Sequence, residues 1–196
     1  MLLAARHIRP GDELALLVCE SRSVARGPVA RQQASGAARL AARALLSGLG
    51  HADAPLPNDA FGAPVWPQGI VGSLAHDETI AIAGVANLQG FISLGVDVEP
   101  AEPLPNDLTE LVLTPRERTL AKQRPTLGRM IFCIKEAVYK CCYHADAVHL
   151  EFADISVDFD AHSAHTSHGP CVQFRASGGA ILLALAWIPQ FRKSAN

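Results

Sequence analysis

No apolar run in this 196-residue chain is long enough to cross a bilayer. The longest, Ala180 to Ile188, spans nine residues, against the roughly 20 that a membrane helix needs. No secretory leader is expected, because the apolar start Met1 to Ala5 is cut short by Arg6 and His7. There is no excess of positive charge. Seventeen Lys and Arg stand against 19 Asp and Glu, a net charge of −2, which removes the footprint of a whole-surface nucleic-acid binder. Cysteine is sparse and unpatterned: Cys19, Cys133, Cys141, Cys142 and Cys171 are an odd number with no C-x-x-C spacing. A reducing cytoplasm is the expected compartment. G-x-S-x-G, the Walker lysine loop and G-x-G-x-x-G are absent, so no nucleophile elbow, P-loop or dinucleotide fingerprint is present.

What remains is the composition of a folded protein. Apolar residues make up 49% and charged residues 18%, outside the range of disordered chains. The length allows one large domain or two small ones. A chain of this size buries about 70% of the surface its unfolded form exposes, so it folds without disulfides or metal.

Ala30 to Leu49 is free of proline and rich in Ala, Leu and Arg, which predicts a helix stopped by Gly48 and Gly50. His51 to Gly72 carries too much proline and glycine (APLPND, FGAPVWPQG) for a helix or a central strand. Thr79 to Ala86 and Phe91 to Val98, parted by the turn Asn87 to Gly90, predict a β-hairpin. In its second strand Ile92, Leu94, Val96 and Val98 alternate onto one face, and Phe91, Ser93, Gly95, Asp97 and Glu99 onto the other. After EPAEPLPND, the tetrad Thr114-Pro115-Arg116-Glu117 supplies a cap, a proline at the first helical position and a glutamate three residues on. It predicts a short helix, Thr114 to Leu120. A longer helix, Gly128 to Tyr143, precedes strands at Ile155 to Phe159, Cys171 to Arg175 and Ala180 to Ile188. This order predicts an α+β fold of two similar halves, residues 1–100 and 101–196, each an antiparallel sheet packed with helices. His162, His165, His168 and Gly169 read as a hairpin tip or, less simply, a weak metal site.

Gly95-Val96-Asp97-Val98-Glu99-Pro100 puts two carboxylates at i and i+2 on one side of a strand. They repel each other unless a cation lies between them. Oxygen-only ligands favour a hard cation, Mg²⁺ above all, which completes its shell with water and substrate phosphate. A solvated strand end is the alternative. On the long helix Phe132, Glu136 and Lys140 share one face. Glu136 can complete a carboxylate set that lacks a third ligand, and Lys140 can meet a phosphate beside it; the pair also fits a plain surface ion pair. His76, in Gly72-Ser73-Leu74-Ala75-His76-Asp77, can donate to a phosphate or rest as a satisfied polar residue. Arg31, Arg39 and Arg43, preceded by Arg26, offer a basic helix face that suits a phosphate or solvent. Ser73, His76 and Asp97 are the residue types of a hydrolase triad, without the elbow.

In the order PVWPQG, GSLAHD, GVDVEP, LTPRE, FCIKEAVYK, the sequence resembles the Sfp-type 4′-phosphopantetheinyl transferases over about Ala30 to Lys140. Within them it is more similar to the branch of enterobactin synthase component D, where a proline-tryptophan loop leads into Ser-x-x-His. The resemblance implies a cytoplasmic monomer of two pseudo-twofold halves with coenzyme A bound between them. It implies Mg²⁺-dependent transfer of phosphopantetheine from coenzyme A to a serine of an acyl or peptidyl carrier protein, acidic around that serine. Siderophore, polyketide and fatty-acid synthesis all use such carriers. Asp97, Glu99 and Glu136 become the metal ligands, Lys140 and His76 pyrophosphate contacts, and Glu136, through metal or water, a candidate for deprotonating the carrier serine. Lys135, from the Lys-Glu pair, joins the coenzyme A contacts. Arg39 and Arg43 become candidates for the 3′-phosphate, with Arg31 and Arg26 next, and Lys122, Arg124 and Arg129 candidates for the carrier protein. The sequence departs from the family at Ala75, where Ser often precedes the histidine, at Gly62 and Ala63, where a basic residue often stands, and at Phe132, often Trp. A non-catalytic protein that holds coenzyme A or the carrier, and a metal-dependent phosphohydrolase, are the other readings. Three carboxylates, a Lys and a His suit phosphoryl transfer, which needs charge neutralised and a nucleophile positioned.

Overall fold

A computed structural model describes residues 1–24, 27–167 and 169–190. Strand β1 (Leu2–His7) leads through a 3₁₀ turn, Asp12–Ala15, into helices α1 (Val18–Val24) and α2 (Val29–Ser47). Strands β2 (Ile70–His76), β3 (Ile80–Asn87) and β4 (Phe91–Pro100) follow, then helices α3 (Asn106–Val112), α4 (Pro115–Ala121) and α5 (Pro125–Asp146). Strands β5 (Ile155–Asp158), β6 (Ser163–Thr166), β7 (Val172–Gly178) and β8 (Ile181–Pro189) complete the described fold. Among the described residues no helix is long and apolar enough to cross a membrane.

The strands form two antiparallel sheets, ordered β1-β3-β2 and β4-β8-β7-β6-β5. The connectivity repeats. Each half runs strand, long helix, hairpin, and the last strand of the hairpin pairs with the first strand of the half: β3 with β1, and β8 with β4. The division therefore falls between β3 and β4, not at the expected residue 100, and β4 with its acids opens the second half. The β5–β6 hairpin is an addition to the second half.

The expected hairpin between residues 79–86 and 91–98 does not form. β3 pairs with β1 and β2, whereas β4 pairs with β8 in the other sheet. Both strands are buried on both faces, so each needs cover that a lone hairpin lacks. A Cβ on Gly84 of β3 would stand 2.8 Å from a Val96 methyl group of β4, so the strands meet through their faces. Ala75 and Ile82 of the first half pack there with Val96 and Val98 of the second, making the core between the sheets.

Each long helix covers its own sheet. Ala41, Ala42 and Leu46 of α2 pack with Leu56, Ile70, Ala83 and Val85. Cys133, Ile134, Ala137, Val138 and Cys141 of α5 pack with Phe174, Ala184, Ala186 and Ile188. The cysteines here are inert: burial pushes the Cys141 thiol up to about 12. α4 begins with the expected capping box, Thr114 accepting from the Glu117 amide and Glu117 from the Thr114 amide. Within the expected histidine-bearing tip, His165 lies on strand β6, paired with Ser156, and His168 lies outside the described residues.

Candidate functional site

The site begins at Gly95. A Cβ there would lie 1.9 Å from the Ala137 carbonyl oxygen and 2.7 Å from the Cys141 amide nitrogen. Only glycine lets the α5 backbone come this close to β4. The strand face carrying Ser93, Gly95, Asp97 and Glu99 is thereby laid against the helix. Ser93 Oγ meets Cys141 Sγ at 3.0 Å, and Lys140, the residue before Cys141, reaches Asp97.

Lys140 Nζ donates to Asp97 Oδ1 at 2.6 Å and to the Val96 carbonyl at 3.2 Å. Arg129, three turns earlier on α5, donates from Nη1 to Glu99 Oε2 at 2.8 Å and from Nη2 to the Pro103 carbonyl at 3.2 Å. Each carboxylate of the strand thus has a cation from the same helix. Glu136 stands between them in sequence, half-buried, with no hydrogen bond or ion pair among the described residues. Burial pushes its carboxyl up from the ordinary 4.5; Lys140 opposes the shift, and the charges of Asp97 and Glu99 add to it. Glu99 is pushed up by burial and by Asp97, against Arg129 and Lys140. Burial alone would lower the Lys140 ammonium, but the charge and hydrogen bond of Asp97, helped by Glu136, carry it up. The three carboxylates therefore feel one another, with Lys140 among them.

Among the described residues no three His, Cys, Asp or Glu side chains stand as a finished metal cage. The donor set nevertheless suits a hard cation. It is all oxygen, it is mutually repulsive, and Asp97 Oδ2 is buried with no hydrogen-bond partner, a cost that a cation removes.

Among the described residues, cavities adjoin both Glu99 and Lys140. One, of about 680 Å³, is lined by His76, Thr79, Glu99, Arg129 and Ile181 among others. The other, of about 230 Å³, lies between Lys140, Ser73 and the rings of Phe61, Tyr139, Tyr143 and His149. The second is partly closed by the loop of the proline-rich segment: Tyr143 donates to Asp59 at 3.1 Å, and Phe61 sets its ring edge-on to Tyr143 and His149. Gly62 and Ala63 line it as well. His76 ends β2, its Nδ1 3.2 Å from the Asp77 carbonyl. What burial it has pushes the imidazole down, against that hydrogen bond, and Lys140 and Arg31 push the same way as burial. Ala75, where a serine was the expected neighbour, sits in the apolar core between the sheets.

The structure thus brings Asp97, Glu99, Glu136 and Lys140 together and sets His76 in a cavity with Glu99. It corrects three of the other expected contacts. Arg39 is 3% exposed and spends its guanidinium on the Leu56 carbonyl, Ser35 and Asn58. Arg43 pairs with Glu20 at 2.8 Å and donates to the Ala15 carbonyl at 2.6 Å. Glu20 is itself fully buried and accepts from the Leu17 and Leu56 amides, so this is an internal cage, closed to a phosphate. Lys135 is fully buried, 2.8 Å from Glu117 and from the Val112 carbonyl, and 3.1 Å from the Phe152 carbonyl. It locks α5 to α4 and cannot touch coenzyme A. Arg31 is exposed, on the side of α2 from which its charge reaches His76. Arg26 lies outside the described residues. The triad of Ser73, His76 and Asp97 does not assemble, because Asp97 is taken by Lys140 and Ser73 is buried. Arg129 was overlooked as part of the site; it follows the Glu136 stripe one heptad earlier.

A family model described as the 4′-phosphopantetheinyl transferase N-terminal domain matches residues 19–86, and one described as the 4′-phosphopantetheinyl transferase superfamily matches residues 93–181. The 4′-phosphopantetheinyl transferase Svp of Streptomyces mobaraensis is 38% identical over 161 residues, 78% of this chain and 65% of that protein. The 4′-phosphopantetheinyl transferase Npt of Nocardia iowensis is 32% identical over 161 residues, 81% of this chain and 72% of that protein. PptT of Mycobacterium tuberculosis, also named a 4′-phosphopantetheinyl transferase, is 33% identical over 148 residues, covering 74% and 65%. The chain matches these curated relatives over 65% to 72% of their own length.

Proposed function

The chain belongs to the 4′-phosphopantetheinyl transferase superfamily, and from that premise we propose that it transfers phosphopantetheine from coenzyme A to the serine of an apo carrier protein, with Mg²⁺. One observation carries the reading. Asp97 and Glu99 on β4 face Glu136 and Lys140 on α5, with an Asp97 oxygen buried and unsatisfied.

In this reading Asp97, Glu99 and Glu136 hold the cation, which when bound neutralises charge on the donor pyrophosphate. His76 binds the donor from the larger cavity. Glu136, its carboxyl raised by burial and by its neighbours, takes the proton of the carrier serine. The serine oxygen forms its bond to phosphorus, and the bond to 3′,5′-ADP breaks. Lys140 then faces the departing phosphate oxygen, where charge grows. Exposed Arg31, close enough to act on His76, replaces Arg39 and Arg43 as the contact for the 3′-phosphate.

Lys122 and Arg124 are exposed between α4 and α5 and remain the surface for an acidic carrier protein. Arg129 leaves that set, because it is engaged with Glu99. The groups come from both halves of one chain, so a monomer suffices, and a coenzyme A donor places the reaction in the cytoplasm. The proline-tryptophan loop before Ser73 makes a siderophore carrier the first to test, ahead of polyketide and fatty-acid carriers. Mass spectrometry of each apo carrier incubated with protein, coenzyme A and Mg²⁺ tests the reading. The carrier should gain one phosphopantetheine. Coenzyme A degraded without carrier modification marks a phosphohydrolase, and coenzyme A bound but unchanged marks a binding protein.

A further inference from the structure

Arg129, Glu136 and Lys140 recur on α5 at intervals of seven and four, so they lie along one stripe of the helix. Lys140 and Glu136 have roles in the reading above; Arg129 has none. We propose that Arg129 is a positioning residue that holds Glu99 by one oxygen and keeps the other available to the cation. This rests on Glu99 being a ligand of the Mg²⁺ site.

Three observations carry it. The guanidinium is fixed twice, by Nη1 to Glu99 Oε2 and by Nη2 to the carbonyl of Pro103 on the chain leaving β4. The two side chains are only 13% and 18% exposed, so the pair is sheltered from the solvent that dissolves surface ion pairs. Glu99 Oε1 has no protein partner among the described residues. Glu99 also lines the roughly 680 Å³ cavity shared with His76. Untethered, its flexible side chain has open space to turn into, away from Asp97. A direct substrate contact fits Arg129 less well. Both terminal nitrogens already have protein acceptors, and Nε is buried, which leaves little of the fork for a phosphate.

The test uses Mn²⁺ alone, an oxygen-seeking stand-in for Mg²⁺ whose free concentration is read by electron paramagnetic resonance. Arg129→Met keeps most of the stem and removes the fork. It should weaken Mn²⁺ binding about 10- to 100-fold, the usual cost of losing the partner of a ligand. Arg129→Lys should recover part of the loss, and serves as the measurement if the Met variant does not fold. Coenzyme A affinity without metal should stay unchanged in both. In a Glu99→Gln background, Arg129→Met should cause no further loss, since it acts through Glu99. Unchanged Mn²⁺ affinity in the folded Arg129 variants, an equal extra loss in the Glu99→Gln background, or a fall in metal-free coenzyme A affinity overturns the positioning role. Glu99→Gln binding Mn²⁺ as tightly as the unaltered protein removes the ligand assignment itself, and the role of Arg129 with it.

Discussion

At the scale of the residue, Lys140 is the sharpest case. Its ammonium is 2.6 Å from Asp97 Oδ1, beside the point where, in the proposed transfer, the leaving oxygen gains charge. A contact made stronger in the transition state shows in kcat more than in binding. Lys140→Ala should lower kcat by about 10²–10³ while weakening coenzyme A binding less, as steady-state kinetics and calorimetry together resolve. A plain helix-surface pair would leave kcat unaltered. Glu136 gives the complementary case. Its folded carboxyl titrates above the ordinary 4.5, so between those values the native state holds a proton the unfolded state has lost. Stability therefore falls as pH rises through that window and stays lower at neutral pH. Metal-free Glu136→Gln should melt higher than the parent at pH 7, with transfer abolished, and the advantage should vanish below about pH 4.5. Equal melting temperatures at pH 7 would mean that Glu136 is unstrained. The acids themselves were legible, because strand alternation and helix spacing fix which side chains share a face. The arginines were not. Arg39 and Arg43 have the spacing of an exposed basic face, but Glu20, which buries them, comes from a separate helix 23 residues before Arg43, and no local pattern announces that meeting.

At the scale of the element, the same blindness explains Lys135. It neighbours Glu136 in sequence but projects about 100° away around α5, into Glu117 of α4 and two backbone carbonyls. Breaking so buried a pair leaves a charge without its partner, at about 3–5 kcal/mol. Lys135→Met should be destabilised by that amount in urea unfolding, with the KM for coenzyme A unchanged in the protein that stays folded. A raised KM with full stability would return Lys135 to the donor site. The helix limits, the Thr114 capping box and the polar face of β4 were readable because each follows from residues a few positions apart. The pairing of β3 was misread because two apolar strands joined by a short turn are also what two packed sheets require at their crossing. Only the burial of both faces tells them apart.

At the scale of the whole molecule, the proposed donor site draws on both halves: Arg31 and His76 from the first, and Glu99, Glu136 and Lys140 from the second. If Arg31 meets the 3′-phosphate, the parent should prefer coenzyme A to dephospho-coenzyme A, and Arg31→Ala should lose most of that preference in competition binding. A preference kept intact would put the 3′-phosphate elsewhere. The likeness of the halves was foreseeable from the order of elements, but not their matching strand order, which depends on pairings between residues some 80 positions apart, such as Leu3 with Gly84. That matching order has a consequence for counting. A duplicated scaffold offers two equivalent strand-and-helix seams, yet β1 reads Leu-Leu-Ala-Ala-Arg-His where β4 carries its acids, and α2 turns Arg39 and Arg43 inward to Glu20. One seam is chemical and the other is mute. Titration with coenzyme A and Mg²⁺ should accordingly saturate at a single equivalent per chain, an odd stoichiometry for so even a frame.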